Sequence, residues 1–140
     1  MWKRALLCVL CLSICPSFLM ADEESTEDVE EIKNDYHYFQ LEPDIITNYI
    51  KPGKRIGFVR ITVELMAKSK SNYALIDDHE PLIRDKIITI LGQQTEIMVK
   101  SITEREGIRK RCLDEVNELL FTETGKKPLE DLIFTKYLYQ

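Results

Sequence analysis

The sequence predicts an α+β domain, and three observations lead there. Ile56–Ala67 alternates strictly, with Gly57, Val59, Ile61, Val63, Leu65 and Ala67 facing one way and Phe58, Arg60, Thr62 and Glu64 the other. That period of two marks a strand with one buried face. Two later stretches space their apolar residues as helices do: Leu75, Ile76, Ile83, Ile87, Ile90 and Leu91, then Ile108, Cys112, Val116, Leu119 and Leu120. The first three strand-like pieces follow one another with no helix between them. Without βαβ crossovers, a mixed or antiparallel sheet with two helices packed on it is the natural arrangement.

In chain order, Met1–Arg4 is a short basic start, Ala5–Cys15 is apolar, Pro16 breaks the run, and Ala21 precedes the first acids. This is the layout of a secretory signal peptide over residues 1–21. The competing reading is a short membrane anchor, although a spanning helix wants about 20 apolar residues. Asp22–Asp35 carries eight of the 24 acids against one base, Lys33. Such a stretch buries too little to offset its ordering entropy, so it is expected to be a flexible tether with a reach of about 20 Å. From Tyr36 onward acids and bases are equal in number. The domain, residues 36–140, is therefore neutral overall. It lacks the clustered basic face that nucleic-acid binding requires.

Tyr36–Leu41 and Asp44–Ile50 read as short strands separated by Pro43. Lys51-Pro52-Gly53-Lys54 has the residues of a type II turn. Lys68–Asn72 reads as a polar loop. Pro81 either opens a helix capped near Asp78–Glu80 or kinks a longer one begun near Asn72. Thr103-Glu104-Arg105-Glu106 has the form of a capping box for the second helix, which Gly125 and Pro128 close. Leu132–Tyr139 reads as a final strand paired inside the sheet.

Catalytic chemistry is thinly represented. His37 and His79 each stand without a second histidine nearby, and no cysteine lies at metal-ligand spacing. Removal of residues 1–21 takes Cys8, Cys11 and Cys15 with it. Cys112 then remains alone at a helical core position, so no internal disulfide is expected. No cofactor or metal is expected either. The run Arg109-Lys110-Arg111 reads as a docking patch or a solvated face. Arg109 and Arg111 should point away from the core stripe, and Lys110–Asp114 and Arg111–Glu115 are i,i+4 pairs that absorb charge locally.

Several motifs, in shared order and spacing, carry a resemblance. Tyr38-Phe39-Gln40-Leu41-Glu42-Pro43 with Asn48, then Arg60-Ile61-Thr62-Val63-Glu64-Leu65, Leu82-Ile83-Arg84-Asp85-Lys86-Ile87-Ile88, Gly107-Ile108-Arg109-Lys110-Arg111, Asn117-Glu118-Leu119-Leu120 and Ile133-Phe134-Thr135-Lys136-Tyr137-Leu138-Tyr139-Gln140 resemble successive segments of the flagellar basal-body-associated protein FliL family. The resemblance runs from about Tyr38 to Gln140. It implies a periplasmic domain similar to the stomatin-type (SPFH-like) fold and no catalytic activity. It also implies association with flagellar stator or basal-body proteins, self-assembly into a ring, and a role in swimming or swarming. The implied location is the periplasmic face of the inner membrane. Arg84 and Asp85 are the polar pair that matches the family, and with Arg109 and Arg111 they are the expected interaction residues. The usual family member has a full transmembrane helix. The shorter, Pro-broken leader here instead suggests a periplasmic paralogue, touching the membrane through residues 1–21 only if that leader is retained. Two other readings remain: a soluble periplasmic binding or chaperone-like module outside the motor, and an enzyme built on Cys112.

Overall fold

The computed structural model of the chain describes residues 35–53 and 55–140. The expected leader, and the tether up to residue 34, lie outside the described residues. The elements are β1 (His37–Gln40), β2 (Ile45–Tyr49), β3 (Gly57–Ala67), α1 (Lys70–Asp78), α2 (Glu80–Gly92), α3 (Glu96–Lys100), α4 (Ile102–Thr124) and β4 (Leu129–Tyr139). The fold is α+β with an antiparallel sheet, which resolves the choice between mixed and antiparallel.

β3 is the hub of the sheet. Its eleven residues pair with β2 at Gly57–Ile61 and with β1 at Glu64–Ala67. Along its other edge it pairs with β4 from Val59 to Ala67. Val59, Ile61, Val63, Leu65 and Ala67 are wholly buried beneath the helices, as the alternation predicts. Ile83, Ile87, Ile90 and Leu91 of α2 and Ile108, Cys112, Val116 and Leu120 of α4 close the core from the other side. Leu119, expected among them, is only half buried. On the opposite face of the sheet Phe58 and Arg60 are exposed, and no described element packs over them.

Four expectations are corrected. Among the described residues the two expected helices are four. The stretch taken as the first helix divides at His79, which ends α1 and begins α2, with Pro81 in the first turn where its missing N–H costs nothing. The loop expected at Lys68–Asn72 is mostly helix, because the Ser69 hydroxyl accepts the Asn72 amide at 3.2 Å and caps α1. The cap of α4 is Ser101, not Thr103. Its hydroxyl accepts the Glu104 amide, and Ser101-Ile102-Thr103-Glu104 satisfies the same capping pattern two residues earlier. Finally, β4 starts at Leu129, and among the described residues it pairs only with β3. It is an edge strand, not an inner one. In the turn after β2, Gly53 sits at φ +84°, the value a type II turn asks of its third residue.

Candidate functional site

The four polar residues singled out by the sequence sit on α2 and α4, which pack against each other. Arg84 lies one turn after Glu80 and donates to its carboxylate from Nε at 2.7 Å. Its Nη1 donates to the Pro43 carbonyl, also at 2.7 Å, which ties α2 to the turn between β1 and β2, where the Glu42–Pro43 peptide is cis. Asp85 is rotated about 100° further round the helix. It is exposed beside Pro81, Leu82 and Thr89 and has no ion-pair partner among the described residues. The pair adjacent in sequence is therefore not a pair in space.

Arg109 is turned towards the sheet edge and not outward. Its guanidinium grips both Glu106 oxygens, at 2.8 and 2.6 Å, and reaches β4 at the Asp131 carboxylate and, at 2.7 Å, the Leu132 carbonyl. These anionic partners hold it firmly protonated: the Glu106 hydrogen bonds are the largest cause, Asp131 adds to them, and burial opposes. Arg111 is half exposed. It donates to Glu115 at 2.9 Å and approaches Gln93 at 3.4 Å. Lys86 reaches the same Glu115 at 3.8 Å, so one carboxylate bridges α2 and α4. The expected Arg111–Glu115 pair forms. Lys110 is exposed and makes no ion pair with Asp114.

Sequence reasoning missed a cluster on the open face of the sheet. Asp44 accepts from Arg60 Nε and from the Thr62 hydroxyl, both at 2.7 Å. Thr62, and secondarily Arg60, hold the Asp44 carboxyl below its usual range. Register was the missing signal: Ile45 stands opposite Ile61, so Asp44 falls opposite Thr62. Beside this cluster Ile46, Phe58 and Leu138 are 62%, 45% and 51% exposed. With Arg60 and Gln140 they line a depression of about 430 Å³. Ile46, Arg60 and Leu138 form one row across β2, β3 and β4.

Both histidines make hydrogen bonds. His79 Nδ1 lies 2.8 Å from the Leu75 carbonyl at the end of α1, and His37 Nε2 lies 3.0 Å from Asp35. Cys112 is wholly buried, and burial pushes its thiol up to about 12. Among the described residues no three of His, Cys, Asp and Glu gather as a metal would require, and no helix is long and apolar enough to cross a membrane. The described surface presents an apolar patch with a charged rim, and two helices with exposed acidic and basic side chains.

The profile of a family described as flagellar basal body-associated protein FliL matches residues 38–140. The flagellar protein FliL of Aquifex aeolicus (strain VF5) is 26% identical over 102 residues, covering 73% of this chain and 60% of that relative. The chain thus spans about three fifths of the length of this curated relative. The matched stretch begins inside β1 and runs to the end of β4, so it coincides with the folded domain.

Proposed function

This chain belongs to the FliL family of flagellar basal body-associated proteins, and from that premise we propose that it is a non-enzymatic accessory of the flagellar motor, supporting the stator during swimming or swarming. The carrying observation is the coincidence of the family match with the whole folded domain, every element from β1 to β4. The domain works at the periplasmic face of the inner membrane, and more than one copy acts together. Of the four interaction residues, Asp85 and Arg111 offer side chains to a partner. Arg84 and Arg109 act from behind, fixing α2 and α4 in position. The family match leaves little support for a chaperone-like module outside the motor.

An in-frame deletion tests the reading, scored for swimming and swarming at low and high viscosity and complemented by the wild-type chain or by Asp85→Arg. The deletion is expected to slow spreading most at high viscosity. Wild type should restore it, and Asp85→Arg should restore it only in part although the variant folds. Normal motility of the deletion strain under every load would refute the proposal.

A further inference from the structure

The free edge of β4 is treated unevenly along its length. In an antiparallel ladder, alternate residues turn their N–H and C=O towards the neighbouring strand and away from it. Phe58 and Gln140 exchange both bonds, at 3.1 and 3.0 Å. By the register, Leu138 and Lys136 then also face β3, while Tyr139 and Tyr137 face outward. The phase shifts between Thr62 and Val63. The Val63 carbonyl accepts the Leu41 amide on the opposite edge of β3, so Phe134, which stands opposite Val63, faces outward too.

Further towards the start of β4 the outward groups are closed by side chains. Asn117 donates to the Leu129 carbonyl at 2.9 Å and accepts the Leu129 amide at 3.1 Å. The Leu132 amide donates to Asp131 at 2.8 Å, and its carbonyl accepts from Arg109 at 2.7 Å. Among the described residues nothing comparable reaches the backbone of Phe134, Tyr137 or Tyr139. Half of the edge is plugged and half is a bare template for another strand.

We propose that the Lys136–Gln140 end of β4 pairs with the same segment of a second copy of this chain, antiparallel, about a two-fold axis at Leu138. The segment complements itself in that register. Tyr137 meets Tyr139 of the second copy, and Tyr139 meets its Tyr137, which gives two hydrogen-bonded pairs from the four outward residues. Leu138 meets Leu138 of the second copy in the closer, non-hydrogen-bonded position. Lys136, the one charged residue between Phe134 and Gln140, falls opposite Gln140. No like charges therefore meet across the seam. Leu138 also lies in the apolar depression with Ile46 and Phe58, so the two patches become continuous. A seam of this length is at the small end of specific interfaces, so the dimer is weak and fills at high local concentration. The proposal deepens the reading that copies act together, and its failure would leave the motor role standing.

Trapping by disulfide tests it on the full chain. Residues in a non-hydrogen-bonded pair have Cα atoms about 4.5 Å apart, within disulfide range. Two Lys136 positions would lie about 14 Å apart along the strands. Under mild oxidation Leu138→Cys is expected to give covalent dimer at least about tenfold faster than Lys136→Cys, with mass spectrometry locating the link at position 138 of both copies. Leu138→Lys sets two like charges face to face and is expected to lower the dimer fraction in sedimentation while circular dichroism stays native. Equal trapping from both positions, or a folded Leu138→Cys chain that never cross-links, would overturn the proposal. So would cross-linking in cells from position 138 to a different protein with none between copies.

Discussion

Gly57 is where a single methyl group would do most damage. It faces Tyr49 across β2 and β3, and a Cβ placed on it would stand 2.2 Å from Tyr49 Cζ. The tyrosine ring fills the space a side chain would take, and its hydroxyl donates to the Gln140 carbonyl at 3.0 Å. Gly57→Ala must displace that ring, and overpacking of this kind costs about 1–3 kcal/mol. The expected result is a lower denaturant midpoint with an unchanged slope. The alternation in the sequence showed that Gly57 faces inward. It did not show why the position must be empty, because the obstructing ring comes from another strand. Cys112 was easier to read, since helical spacing alone placed it in the core. Alkylation needs a thiolate, and burial pushes this thiol up to about 12, with Glu115 adding and Arg111 opposing. At pH 8 the folded chain should therefore leave Cys112 unmodified in peptide mass spectrometry, and denaturant should expose it. Rapid native labelling would contradict its burial.

Between elements, the join of α4 to β4 rests on two side chains. Arg109 forks onto Glu106 and reaches Asp131 and the Leu132 carbonyl, while Asn117 pairs with both backbone groups of Leu129. Arg109→Lys keeps the charge but loses the planar fork. Asn117→Ala leaves a half-buried amide and carbonyl without partners. Each is expected to cost about 1–3 kcal/mol, read by chemical denaturation, and hydrogen exchange should quicken first in β4. A second join, Asp44 with Thr62 and Arg60, answers to pH. The folded state holds the Asp44 carboxyl below its unfolded value. Its stabilisation is therefore complete above the ordinary carboxylate range and is lost as the pH falls through the lowered folded value. Asp44→Asn should flatten that acid limb of the stability profile and leave its shape near neutrality unchanged. Element boundaries were less legible than these joins. Ser101–Glu104 and Thr103–Glu106 both fit a capping box, and only the end of α3 at Lys100 decides for the first. Once Arg109 takes both Glu106 oxygens, that carboxylate has lost its capping role. α3 itself, five residues long, is too short for any period to show. Its only traces are Thr95 before Glu96 and the Glu96–Lys100 ion pair.

At the scale of the molecule, the sequence told more about what is buried than about what stands beside what. The length and alternation of β3 marked it as the strongest strand, and it proves to be the hub. β4 misled because it is apolar on both faces, with Phe134 and Tyr137 towards the helices and Ile133 and Leu138 on the other side. A strand of that kind reads as covered twice. Here the second face is open and the edge is half bare, which is how a contact surface presents itself in a sequence. The candidate arginines show the same limit: helical spacing located Arg84 and Arg109 but could not reveal that the Pro43 and Leu132 carbonyls, distant in sequence, would occupy them. The hub arrangement carries a further consequence. Among the described residues every strand pairs with β3, and both long helices bury their apolar faces on the core that β3 lines, so no element pair there can leave alone with its contacts intact. Only one cysteine lies beyond residue 21, and it is buried. Cooperativity must then come from packing, without any covalent staple. A chain beginning at Asp22 is expected to unfold in a single thermal transition by circular dichroism and by tyrosine fluorescence alike. Its midpoint should be the same, within about 1 °C, with and without reductant, since a staple would typically contribute about 2–4 kcal/mol and shift it by several degrees. Two separate transitions would mean that the sheet is not held through β3, and a midpoint lowered by reductant would mean that a Cys112–Cys112 link between copies supports the fold, against the burial of that thiol.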